Sequence, residues 1–233
     1  MTAVALIVEY QTPDLLALCL ASLKRFAPEI RAVVVAGEEG ADAHAAAIER
    51  ARASGLHGDA DIVILLDTDV VILSDKWFPW VVATLKCALA TGGLRHRGDV
   101  TQVFYRGQLL LHAHCLAMRR SVFEAVPAFT AERSWDTAWQ VTRHIGAESA
   151  VVVPVMPSPD SWPDRVGIYA PLRGGKPYWA HLGRGTSFRP RGPIREGLRR
   201  VAAACGSPRA KKILSYQQDR AAFLKKGWEI VRA

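Results

Sequence analysis

Five apolar residues in a row, Ile62-Val63-Ile64-Leu65-Leu66, end in Asp67-Thr68-Asp69. The run is too short for a buried helix and too continuously apolar for a strand with one wet face, so it reads as a strand covered on both sides. Two carboxylates one residue apart, lifted out of such a strand, make a ready ligand for a hard divalent cation. Held by only two protein groups, such an ion keeps open positions that a diphosphate can fill.

The chain before this point fixes the setting. Val4 to Tyr10 reads as a buried first strand, and Thr12-Pro13-Asp14 supplies the N-cap and N1 proline of a helix through Leu15, Leu18, Cys19 and Leu23. Ile30 to Ala36 is a second strand, and the alanine-rich segment from Asp42 to Ser54 a second helix. Strand, helix, strand, helix, strand is a parallel α/β pattern. The Asp pair then lies at the carboxyl end of the third strand, where open α/β sheets bind ligands.

Further on, a helix is expected over Trp77 to Leu89 behind a Ser74-Asp75 cap. Val100 to Tyr105 and Leu109 to Cys115 form a hairpin about Arg106-Gly107-Gln108. Ser121 to Val126 starts a short helix, Trp135 to Ile145 a longer one, and Ala150 to Val155 a strand. Between Pro154 and Pro193 prolines and glycines crowd with little periodicity, which suggests a substrate lid. Ser207-Pro208 caps a last helix with Ile213, Leu214, Gln217, Ala221, Leu224 and Trp228 on its inner face and Lys211, Lys212, Lys225 and Lys226 beside them.

Charge is unevenly placed. Residues 1–190 hold 19 Lys/Arg and 19 Asp/Glu, whereas residues 191–233 hold 11 Lys/Arg against Glu196, Asp219 and Glu229. A neutral body, residues 1–190, with a basic helical C-terminal extension, residues 191–233, implies a polyanionic partner: nucleic acid, an anionic membrane face or a phosphorylated acceptor. No apolar stretch approaches the roughly 18–20 residues of a transmembrane segment, and the N-terminus lacks a basic leader, so a cytoplasmic location is expected. Cys19, Cys87, Cys115 and Cys205 are far apart and suggest reduced thiols rather than a zinc or disulfide framework.

Two stretches carry a family resemblance: Val4 to Tyr10 with Gln11-Thr12-Pro13-Asp14, and Gly58 to Val70 through the Asp pair. Together they resemble the nucleotide-binding half of GT-A fold glycosyltransferases, especially family 2. Leu116-Ala117-Met118-Arg119-Arg120-Ser121-Val122-Phe123 is similar to that family's acceptor-side segment. The resemblance spans residues 4 to 188 and implies a Rossmann-like mixed sheet flanked by helices. It also implies a metal-dependent, inverting transfer of a sugar from a nucleoside-diphosphate sugar, UDP-linked in most similar proteins, to a hydroxyl.

The same resemblance assigns roles. Asp67 and Asp69 would hold Mn2+ or Mg2+, Asp67 also reaching the donor, and His181 in Trp179-Ala180-His181-Leu182-Gly183-Arg184 would complete the metal site. Arg184 would pair with a phosphate. Tyr10, Gln11 and Thr12 would border the nucleotide, and Glu38 or Glu39 would take the place of an acidic residue after the second strand. Asp136 would be the general base on the acceptor hydroxyl. His112 and His114, on the expected hairpin, are placed to line the acceptor cleft.

The basic extension leaves the acceptor open between modified DNA of the bacteriophage type, held through its phosphates, and a lipid-linked or polysaccharide acceptor at a membrane surface. Two other classes compete. A haloacid-dehalogenase-type phosphotransferase also carries Asp-x-Asp after a strand, but on the first strand and not followed by Val70-Val71. A non-enzymatic nucleic-acid-binding protein accounts for the charge and leaves the Asp pair without purpose.

Overall fold

The computed structural model describes residues 1–38, 43–93, 104–105, 108–109, 111–129, 139–156, 161–163, 165–171, 175–183 and 193–233. Its centre is a six-stranded mixed sheet. Strand β1 (Ala3–Glu9) lies between β2 (Ile30–Ala36) and β3 (Ile62–Asp67), parallel to both. Beyond β3 come β8 (Cys115–Arg119), antiparallel to its neighbours, then β5 (Ala90–Gly93) and β9 (Ala150–Val153), giving the order β2-β1-β3-β8-β5-β9.

The continuous apolar runs of β1 and β3 are explained by two covered faces. Ala3, Ala5, Ile7, Ile62, Ile64 and Leu66 pack with Cys19 and Leu23 of helix α1 (Pro13–Phe26) and Val81 of α3 (Trp77–Thr84). Their alternate neighbours Val4, Leu6, Val63 and Leu65 pack with Ala45, Ile48 and Ala51 of α2 (Ala43–Ala53) and Phe123 of α4 (Arg120–Ala125). Helix α5 (Trp139–Ile145) adds Val141 to the same side. The expected mixed α/β sheet flanked by helices is therefore observed.

A second, four-stranded antiparallel sheet runs in the order β10-β11-β12-β4. It joins β4 (Val70–Ile72), β10 (Val155–Met156), β11 (Gly167–Tyr169) and β12 (Trp179–His181). Three of these strands arise in the stretch expected to be irregular. They are two or three residues long, below what periodicity can register. Pro154, which has no N–H to give a ladder, separates β9 from β10 and splits the single strand expected there.

Other boundaries differ for identifiable reasons. Helix α3 ends at Thr84, short of the expected Leu89, whose N–H donates instead to the Ser149 carbonyl at 2.8 Å; the Arg119 guanidinium caps the exit by donating to the carbonyls of Leu85 (2.9 Å), Lys86 (3.0 Å) and Ala88 (3.1 Å). Among the described residues the hairpin comprises β6 (Phe104–Tyr105) and β7 (Gln108–Leu109), and Cys115 opens a strand of the central sheet instead. Of the helix expected from Trp135, the first four residues lie outside the described residues.

The basic C-terminal segment forms two helices, α6 (Pro193–Ala204) and α7 (Pro208–Arg232), of which α6 was not anticipated. Ser207 caps α7 by accepting the Ala210 N–H at 3.3 Å, as expected. The inner face of α7 is rotated from the expected stripe. Ala210, Arg220, Phe223 and Gly227 are buried, and Ala221 is exposed. An arginine and a glycine do not count as core in an apolar pattern, yet Arg220 donates to Asp14 of α1, and Gly227 lets α7 approach Leu18. Phe223 meets Trp162 with ring centroids 5.5 Å apart.

Candidate functional site

Asp67 ends β3, and Thr68-Asp69 is the turn by which the chain leaves the central sheet for β4 in the second one. Strand β12 pairs with β4 so that His181 lies opposite Val70, and the Leu182 N–H donates to the Asp69 carbonyl at 3.1 Å. Ladder register thus delivers His181 to the Asp pair across more than 100 residues of sequence.

The three side chains converge. His181 Nε2 is 3.3 Å from Asp69 Oδ1 and 4.0 Å from Asp67 Oδ2. One donor atom from each of the three falls within 4.8 Å of the others. Ligands of one octahedral ion at about 2.1 Å lie roughly 3–4 Å apart, so the cluster needs little movement to share a cation. Two carboxylates suit a hard ion such as Mg2+ or Mn2+, and the imidazole adds a nitrogen donor of the kind first-row transition ions accept. The side chains of Asp69 and His181 are each 8% exposed, whereas that of Asp67 is 27% exposed and forms the open rim.

Asp67 has a partner that the sequence did not signal. His44 Nε2, in the first turn of α2, is 3.3 Å from Asp67 Oδ1. A histidine in an alanine-rich helix carries no motif, and only the packing of α2 beside β1 brings it here. The backbone of Asp67 is held as well, its N–H donating to the His114 carbonyl at 2.9 Å and its carbonyl accepting from the Cys19 thiol at 3.7 Å.

Behind His181 stands a pile of rings. His114 stacks on it, and His114 in turn sits 4.7 Å from Tyr169, which stacks on Trp179 at 4.8 Å. His112 lies 5.9 Å from His181 and accepts the His114 N–H at 3.2 Å through Nδ1. The two histidines are thus against the candidate metal cluster, not on the hairpin where the sequence put them. Gly93 makes room for this pile: a Cβ there would stand 2.6 Å from Tyr169 Cε1 and 2.7 Å from His114 Nε2.

The carboxyl end of β1 borders the cluster, Val8 being in register with Asp67, and β2 lies on the far side of β1. Tyr10 and Gln11 follow β1, with the Tyr10 hydroxyl accepting from Gln11 Nε2 at 3.2 Å. Gln11 is held at φ 54°, a left-handed conformation uncommon outside glycine. Thr12 is fully buried; its N–H donates to Glu9 Oε1 at 2.7 Å and its hydroxyl shares a 3.0 Å hydrogen bond with that of Thr68. The expected side-chain cap of α1 is therefore replaced by a tie to the centre of the Asp-Thr-Asp turn. Glu38 is exposed and ion-paired with Arg50 at 3.2 Å. Asp136 and Arg184 lie outside the described residues.

Beneath the turn, Cys19 and Cys115 are buried. Burial pushes both thiols well above their usual range, and the negative charge of Asp69 and Asp67 adds to the effect at Cys19. They are neutral packing groups, not ligands or nucleophiles.

No protein-family model matches the sequence, and no curated protein does either. Solved structures similar in fold include three glycosyltransferases. A glucosyl-3-phosphoglycerate synthase from Mycobacterium tuberculosis, in complex with Mn2+ and UDP-glucose, is 13% identical, with 66% of this chain and 68% of that one covered and a TM-score of 0.46. A mannosyltransferase from Pyrobaculum calidifontis, in complex with GDP-mannose and Mn2+, is 13% identical over 97% and 85% of the two chains, with a TM-score of 0.49. The galactosyltransferase LgtC, with donor and acceptor sugar analogs, is 13% identical over 65% and 73%, with a TM-score of 0.44.

Proposed function

We propose that this chain is a metal-dependent glycosyltransferase that moves a sugar from a nucleoside-diphosphate sugar, most simply a UDP-sugar, to an acceptor hydroxyl in one inverting displacement. The supporting observation is the convergence of Asp67, Asp69 and His181 at the carboxyl edge of β3, with Asp67 on the open side. A purely structural ion is enclosed by its protein ligands, whereas three ligands with an open rim suit a site shared with substrate oxygens. A divalent ion bound there would offset the negative charge that grows on the departing diphosphate.

The chain's own residues do the positioning. Asp69 and His181 are buried and fixed by the β4–β12 ladder, so little reorganisation accompanies the reaction. Asp67 is braced by His44 on one side and by its backbone hydrogen bond to β8's approach on the other. Tyr10 and Gln11, beyond the end of β1, border the nucleotide, Thr12 holds the turn through Thr68, and Glu38 accepts from the ribose or base. Arg184 pairs with the diphosphate, and Asp136 takes the proton of the attacking hydroxyl, which needs an ionised carboxylate within hydrogen-bond reach.

The test is calorimetric titration of UDP-sugars and GDP-sugars into the full chain with Mn2+ and with EDTA. Binding should require the metal and collapse in Asp69→Ala, with slow donor hydrolysis lost in parallel. Donor binding that is equally tight in EDTA would overturn the proposal.

A further inference from the structure

Helix α6 is laid against α7 with its polarity reversed. Its inward face carries the ion pair of Glu196 and Arg199, whose side chains are 15% and 16% exposed, together with buried Ala203. Its outward face carries Ile194, Leu198 and Val201, exposed by 80%, 67% and 62%. Spacings of four and three residues put these three side chains in one stripe. Cys205, exposed and four residues beyond Val201, continues that line.

Cations flank the stripe on both sides. Arg195 and Arg200 are exposed to either side of it on α6, and Arg209, Lys211 and Lys212 are exposed on the first turn of α7. A helix that only completed the fold would turn its isoleucine, leucine and valine toward α7 and its arginines to water. An apolar ridge between basic margins is the pattern of a helix that lies in a lipid–water interface, apolar side chains at the acyl boundary and cations on headgroup phosphates.

We propose that residues 193–212 form a membrane-surface element that docks on anionic lipid, with Ile194, Leu198 and Val201 as the inserted ridge. Nucleic acid would engage the same cations but gain nothing from an apolar ridge at their centre. A second copy of the chain fits poorly too. An isologous contact would bring the Arg195 and Arg200 margins together, and three side chains cover far less than the roughly 800 Å² per partner of a stable interface. The proposal stands apart from the donor-site reading, because it requires no transfer reaction.

Flotation of the full chain with vesicles of phosphatidylcholine alone, and with about one-third phosphatidylglycerol, tests it. The protein should float with the anionic vesicles, less so as salt is raised, and stay behind with the neutral ones. Replacing Ile194, Leu198 and Val201 together by serine should lower the partition coefficient about tenfold or more with melting temperature unchanged, since all three are exposed. Arg195→Gln with Arg200→Gln should weaken binding chiefly at low salt. In a Cys87→Ser background, a polarity-sensitive dye on Cys205 should shift to the blue with anionic vesicles. Equal flotation of the parent and the triple-serine variant would overturn the proposal. So would retention on duplex DNA without vesicle binding, or a triple-serine change that abolishes only a concentration-dependent dimer.

Discussion

The imidazoles of His114 and His181 stack with centroids 4.2 Å apart and planes 4° from parallel. Ring contact leaves His181 little freedom to turn its Nε2 away from Asp69, so His114 acts as a positioning residue one layer behind the candidate ligands. Tyr169 and Trp179 extend the support into the core.

Removing that support should loosen the cluster without removing a ligand. His114→Ala is expected to weaken Mn2+ binding about 10–100-fold, the usual range for a residue that orients a ligand. Gly93→Ala should act in the same direction, because its methyl would intrude on both His114 and Tyr169. Electron paramagnetic resonance titration of free Mn2+ measures both, and unchanged affinity in the two variants would show that His181 needs no buttress.

Thiol chemistry should divide the four cysteines evenly. Cys87 and Cys205 are exposed, whereas Cys19 and Cys115 are buried and held protonated. At about pH 8, Ellman's reagent should modify the first pair quickly and the second only with global unfolding. Four fast thiols would mean that the floor of the Asp67 turn opens readily.

Most of what positions this site from one side was legible in the sequence, because β1 and β3 are long apolar runs covered on both faces. Asp67 and Asp69 follow directly from where such a run ends. His181 was reached only through family resemblance, since β12 is a three-residue strand with no detectable period. His44 had no signal at all, its meeting with Asp67 being a matter of how α2 packs. The inner face of α7 was read only in part: Leu224 and Trp228 pack on the core as expected, but Arg220 and Gly227 are buried for reasons other than hydrophobicity, one pairing with Asp14 and the other permitting close approach.

The Arg220–Asp14 pair sets an acid limit on how α7 is held. Burial alone would raise the Asp14 carboxyl, but the hydrogen bond and charge of Arg220 outweigh it and hold the group below its ordinary value. A carboxyl lowered on folding stabilises the fold above its unfolded value of about 3.9, and that contribution fades as pH falls through the folded value. Asp14→Asn should cost about 1–2 kcal/mol at neutral pH, less than for a fully buried pair because the Asp14 side chain is 47% exposed. Urea unfolding from about pH 7 to about pH 3 should show the gap between parent and variant closing only at the acid end. A gap independent of pH would assign the loss to packing.

Leu18 and Gly227 offer the sharpest test of whether α7 is seated on α1 as described. A Cβ at Gly227 would stand 2.6 Å from Leu18 Cδ2, and Leu18 is fully buried, so it cannot swing aside. Gly227→Ala gains about 1 kcal/mol of helix propensity but incurs about 1–3 kcal/mol of overpacking, so a net loss near 1 kcal/mol is expected, or about 2–4 °C in melting temperature. Leu18→Ala alone should cost about 2–5 kcal/mol through the cavity it leaves. Combined, the new methyl enters that cavity, so the double variant should be more stable than the sum of the singles by about 1 kcal/mol. Strict additivity would mean that the two helices do not meet at this point, and that the basic segment is held to the body by the Arg220–Asp14 and Phe223–Trp162 contacts instead.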